Sequence, residues 1–226
     1  MLTAITPLLA AFFLSSGLTI PTIPYPFPNS TAPTNDTAPN GTVEYHCNDI
    51  FPTDLTVLNE RYPDYNTSRL HDAVDLFMLR REVAEQGEIA TRVQFTGLPS
   101  ANTNITCRLE FIFPAPDQMF IQGYNPTFNV YQVDRDTETI STWKQYVGNG
   151  INAALFGQVN GQPEAIERTR SVGGVAAINE TRCNETMTFQ MGMAYDSKGG
   201  APNYWNFTEV APPAWPVQGF RMVWGC

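Results

Sequence analysis

The sequence predicts an all-β protein: a β-sandwich, jelly-roll or immunoglobulin-like, of roughly ten short antiparallel strands behind a disordered amino-terminal spacer. Two observations carry that expectation. From Thr91 onward apolar residues recur with period two, and the runs are short and punctuated by Gly, Pro and Asn. The four cysteines of this 226-residue chain are even in number and widely spaced, with no C-x-x-C.

Residues 1–17 are uncharged and centred on the apolar stretch from Leu8 to Leu14, followed by Ser15-Ser16-Gly17. This reads as a secretory signal peptide cleaved after Gly17. At about 1.5 Å per helical residue the apolar stretch falls short of a bilayer core of about 30 Å, and it lacks the lysines that would anchor it. Residues 18–46 are rich in Pro, Thr and Asn and read as an extended, glycosylated spacer. Few apolar side chains are available there to offset the entropy of ordering.

Residues 47–90 are ambiguous. Leu70, Val74, Phe77, Met78 and Val83 recur near helical spacing, while Val74, Leu76 and Met78 alternate as a strand would. The expectation is a segment covering one face of the main domain. Arg80-Arg81 is a dibasic pair that a secretory protease could read, although its apolar flanks suggest packing.

Residues 91–226 should form the sandwich. Cys107, Leu109, Phe111 and Phe113 fall on one face of a strand, and Met187, Phe189, Met191, Met193 and Tyr195 do the same in a second. Phe220, Met222 and Trp224 alternate in a third. Further strands are expected at 92–95, 119–122, 127–133, 139–145, 153–159, 164–169 and 203–210, with turns at 148–150 and 199–200. Asn160-Gly161 is the strongest hairpin signal.

Composition narrows the function. With 13 basic against 22 acidic residues, a charge of −9 and two lysines, the chain has no basic patch for nucleic acid or for an anionic membrane surface. No stable membrane insertion is expected, because no later run approaches a spanning length and Gly225-Cys226 carries no lipidation motif. Only 15% of residues are charged. Eight N-x-[ST] sequons, at Asn29, Asn35, Asn40, Asn66, Asn104, Asn179, Asn184 and Asn206, supply an alternative source of solvation. In an oxidising compartment Cys47, Cys107, Cys183 and Cys226 should form two disulfides. Three pairings are open; Cys107 with Cys183 or Cys226 is favoured, since these lie in the strand-rich half.

Material for catalysis is scarce. The two histidines, His46 and His71, lie outside the expected sandwich, and no metal site, cofactor or nucleophile motif is indicated. A glycoside hydrolase needs two carboxylates facing across a cleft. Asp134, Asp136 and Glu138 read instead as a solvated hairpin tip, and Glu164 and Glu167 as outward strand residues. The chain is therefore expected not to be an enzyme. Sugar-binding sandwiches stack pyranose rings on exposed aromatics. Among Trp143, Tyr204, Trp205, Trp215 and Trp224, the last alternates inward, leaving Trp205 and Trp215 as possible ligand-binding residues.

The run TRVQFTGLPSANTNITCRLEFIFP at 91–114, TFNVYQV at 127–133, Thr142-Trp143, Cys183 ahead of an alternating strand and the terminal GFRMVWGC together resemble the fungal secreted family named for the But-two C-terminal domain. The resemblance covers the chain from about Phe77 onward. It implies a β-sandwich in extracellular or wall-associated fungal proteins, with no catalytic residues to carry over. The ubiquitin-pathway partner in the family's name conflicts with an export signal and eight sequons, and is not transferred. The expectation is a secreted fungal cell-wall or surface glycoprotein with a structural or binding role, whose partner is wall polysaccharide or an extracellular protein. The alternatives are a carbohydrate-binding module and a secreted effector.

Overall fold

The computed structural model describes residues 47–65, 75–82, 87–133, 142–150, 153–198 and 200–226. In chain order these form β1 (Asn48–Ile50), β2 (Asp54–Asn59), β3 (Leu76–Arg81), β4 (Ile89–Thr96), β5 (Thr106–Ile112), β6 (Met119–Gln122) and β7 (Phe128–Val133). Helix α1 (Trp143–Gly150), β8 (Ala153–Val159), α2 (Pro163–Ser171), β9 (Val175–Arg182), β10 (Thr186–Met193), β11 (Asn203–Thr208) and β12 (Gly219–Trp224) follow. The protein is an all-β sandwich. One sheet has the order β1-β12-β5-β9; the other runs β6-β11-β3-β4-β10-β7-β8, with β2 paired on β4.

The period-two strands lie where their alternation placed them. Cys107, Leu109 and Phe111 of β5, Met187, Phe189, Met191 and Met193 of β10, and Phe220 and Met222 of β12 meet in one core, with Trp224 packed at its margin. Aromatic rings fill its centre: Phe77 lies 4.7 Å from Phe207 and 5.2 Å from Phe220, and Phe111 lies 4.8 Å from Phe220. Tyr195, expected to point inward, falls beyond the end of β10 and is 47% exposed.

Residues 47–90 do more than cover a face. They supply β1, β2, β3 and the start of β4, and β3 sits inside the larger sheet between β11 and β4. Its inward residues are Phe77 and Leu79, both fully buried, so its phase is opposite to the one suggested by Val74, Leu76 and Met78. Val74, Leu70 and Val83 lie outside the described residues. Arg80 and Arg81 are both in β3, paired with Glu82 and Asp196 respectively.

Two expected strands are helices. At α1, Thr142 Oγ1 accepts the Gln145 N–H at 3.2 Å while Gln145 Oε1 accepts the Thr142 N–H at 3.1 Å, a reciprocal capping box. The expected turn at 148–150 is the last turn of this helix. At α2, Pro163 occupies the first turn, Glu164 stands near the positive end and Arg168 and Arg170 near the negative end. Gly173 and Gly174 end it with positive φ, the Gly174 N–H reaching the Thr169 carbonyl at 3.0 Å. Glu164 and Glu167 are exposed on this helix.

Both disulfides stitch the smaller sheet. Cys107–Cys183 is buried and joins β5 to the residue after β9, and Cys47–Cys226 joins the residue before β1 to Cys226, two residues after β12. All four cysteines are used.

Candidate functional site

The loop from β11 to β12 presents the most exposed large apolar side chain among the described residues, Trp215 at 83%. Its base is held by several polar contacts. Val210 and Gln218 exchange backbone hydrogen bonds at 3.0 and 3.1 Å, and Gln218 Nε2 donates to the Thr208 carbonyl at 2.8 Å. Glu209 Oε2 accepts the Phe220 N–H at 3.0 Å. Gly219 makes this last contact possible. Its φ is +100°, and a Cβ there would lie within 2.6 Å of three atoms of the Glu209 carboxyl group. Between Val210 and Gln218 lie an Ala211–Ala214 turn, the cis prolyl bonds Pro212–Pro213 and Trp215–Pro216, and the exposed indole. The arrangement is a solvent-facing ring on an anchored loop, suited to stacking against an apolar face.

Trp205, the other candidate, is not a surface residue. It is fully buried, its ring packs 5.1 Å from Phe128 and 5.9 Å from Phe111, and its Nε1 donates to the Pro126 carbonyl. The correction extends to Asn160-Gly161. This dipeptide makes no hairpin; it leads into α2, with Asn160 Oδ1 accepting the Gln162 N–H at 2.9 Å. Gly161 is required because a Cβ there would come within 2.5 Å of Trp205 Cζ2. The dipeptide resembles turn chemistry in the sequence, whereas its cause is close approach to a core ring.

Four sequons lie on described residues and four, at Asn29, Asn35, Asn40 and Asn66, lie outside them. Asn104 is exposed in a loop, its Oδ1 accepting from Arg182 at 2.7 Å. Asn179, on edge strand β9, donates from Nδ2 to the Phe156 carbonyl of β8 at 2.7 Å and so ties the rims of the two sheets together. Asn184 is half-buried and accepts the Glu185 N–H. Asn206 faces outward from β11, its Nδ2 donating to the Tyr204 hydroxyl at 2.8 Å.

Buried charge is what sequence reading missed. Arg92 is fully buried on the outer face of β4, paired with Asp54 and touching Thr56 Oγ1 at 3.5 Å, and burial lowers its pKa to about 10. Its cross-strand neighbour Gln190 donates to the Tyr146 carbonyl of α1, whose Trp143 and Tyr146 pack with Leu58 and Ala90. Helix α1 therefore closes over a strand face that alternation assigned to solvent. On the smaller sheet, Glu110 accepts from Arg108 at 2.7 Å and from Arg221 at 2.9 Å. Asp134, Asp136, Glu138, His46 and His71 lie outside the described residues. Among those described, no group of three or more metal-ligating side chains comes together, and no helix is long and apolar enough to cross a membrane.

Fold and site together define a disulfide-stapled β-sandwich with an exposed tryptophan on an anchored loop. Compared with known proteins, the chain matches no family model and no curated protein.

Proposed function

We propose that this chain is a secreted, non-catalytic fungal wall or surface glycoprotein, in which a disulfide-bonded sandwich carries a structural or binding role. The observation that carries this reading is the pairing of all four cysteines across a single sandwich, a chemistry that persists in oxidising compartments. The expected signal peptide, the eight sequons and the But-two-like framework support the same compartment. A second reading, a carbohydrate-binding module, is favoured by Trp215, whose 83% exposure contributes little to the core.

Pelleting of the purified protein with insoluble chitin, β-glucan and mannan-free wall, with and without soluble oligosaccharide, separates the two. Competable retention that is lost in Trp215→Ala, at an unchanged thermal midpoint, establishes the module. Absence of retention on every polymer leaves the structural or protein-binding role. Recovery of reduced, unglycosylated protein from inside the cell rejects both.

A further inference from the structure

We propose that the outer face of the β6-β11-β3 part of the larger sheet is covered by the chain's own N-linked glycan at Asn206, whose first N-acetylglucosamine packs on Tyr204 and Phe120. The proposal rests on the secretory reading above, since the sugar is added during export.

The spacing of the sequon matches the pleat of the strand. Residues two apart share a face, so Asn206 and Thr208 both point outward while Phe207 between them is buried in the core. Tyr204, two residues earlier, lies on the same outward face. Directly across the strand pair from Asn206 stand Phe120 on β6 and Met78 on β3. Such opposed residues have Cβ atoms about 4.5–5.5 Å apart, within reach of a single sugar ring. Phe120 is 52% exposed, and its ring meets that of Tyr204 at 5.6 Å with a 65° tilt, forming an angled apolar surface beside the amide.

The amide is held beside these rings. Asn206 Nδ2 donates one of its two N–H groups to the Tyr204 hydroxyl at 2.8 Å, which fixes the side chain and leaves the other N–H position for the sugar. A pyranose attached there presents its C–H face to the two rings, the geometry in which sugars stack on aromatics. Coverage also has a use. β6 is an edge strand, and an exposed Phe120 on an edge invites pairing with another chain, which a bulky polar glycan blocks.

The full chain is expressed with its own leader in a host that adds N-glycans, and glycopeptides covering the eight sequons are measured by mass spectrometry. Thermal midpoints are compared for the wild type, Thr208→Ala, Phe120→Ser and the double variant. Thr208→Ala removes the sequon but keeps the Asn206–Tyr204 hydrogen bond. Asn206 is expected to be occupied, and Thr208→Ala to lower the midpoint by about 2–4 °C in the Phe120 background but by little in Phe120→Ser. Trimming the wild-type glycan to its first sugar is expected to leave the midpoint unchanged. This last comparison needs no variant to fold. Sugar on any other sequon with none on Asn206 overturns the proposal alone, as does an equal loss in both Phe120 backgrounds or a fall on trimming. Sugar on none of the eight sequons overturns the proposal and the secretory reading together.

Discussion

The hydroxyl of Thr91 substitutes for a strand partner of Met78: Oγ1 donates to the Met78 carbonyl at 2.7 Å and accepts the Met78 N–H at 3.2 Å. The β3–β4 ladder itself consists of one residue pair, Arg80 with Ile89. Thr91 is fully buried, so water cannot take over these bonds. Thr91→Val keeps the shape but leaves both backbone groups unpaired, and is expected to cost about 1–3 kcal/mol in urea unfolding. Thr91→Ser retains the hydroxyl and should cost less, mainly the lost methyl at about 1 kcal/mol. A valine variant as stable as the serine variant would contradict this role.

The two tryptophans that the sequence offers as possible ligand residues should separate by stability. Trp205→Ala empties the aromatic core and is expected to cost about 3–5 kcal/mol. Gly161→Ala pushes a methyl against Trp205 and the Pro126 carbonyl, each 2.5 Å away, and should cost about 1–3 kcal/mol by overpacking. Trp215→Ala should stay within about 0.5 kcal/mol of wild type. Denaturant midpoints for the three variants decide the matter.

Glu209 gives stability a pH dependence of definite sign. Burial holds its carboxyl well above the ordinary 4.5, opposed by the Phe220 N–H and assisted by Asp75. The folded state therefore binds this proton more tightly than the unfolded chain does. Its contribution is complete below 4.5 and is lost as pH rises through the raised value in the folded protein. Glu209→Gln keeps an acceptor for Phe220 without the charge. The unfolding free energy of the variant is expected to gain on the wild type as pH rises above 4.5, and parallel profiles would exclude this assignment.

The disulfides should fail differently. Cys107–Cys183 is buried and closes a separation of 76 residues, so its double alanine variant is expected to lose about 2–5 kcal/mol. Cys47–Cys226 is exposed and tethers the three-residue β1. Its loss should fray β1, read as faster amide exchange at Asn48–Ile50 with β5 and β9 still protected. A mild reductant should open this bond first.

Features set by neighbouring residues are legible in the sequence. β5, β10 and β12 each carry their own inward face in the sequence, and that period-two record was sufficient for the all-β class and most of the core. The helices were also written locally, in the Thr142–Gln145 capping box and in Pro163 followed by Gly173-Gly174, but short apolar runs obscured them. The reading of Trp205 failed for a different reason. Its alternation with Phe207 fitted a strand, yet nothing adjacent indicated that Phe111, Phe128 and Gly161 would enclose it.

The sequence by itself determined the strand-forming faces, an even set of cysteines and the sites where sugar could be attached, because each is a property of neighbouring residues. Only the tertiary structure decided that Cys107 pairs with Cys183, that β3 enters the larger sheet through Phe77 and Leu79, and that Arg92 and Glu209 are buried. It also decided that Trp215 remains outside while Trp205 does not. These outcomes depend on which distant strand or helix covers a given face, and periodicity along a chain holds no record of what lies across from it.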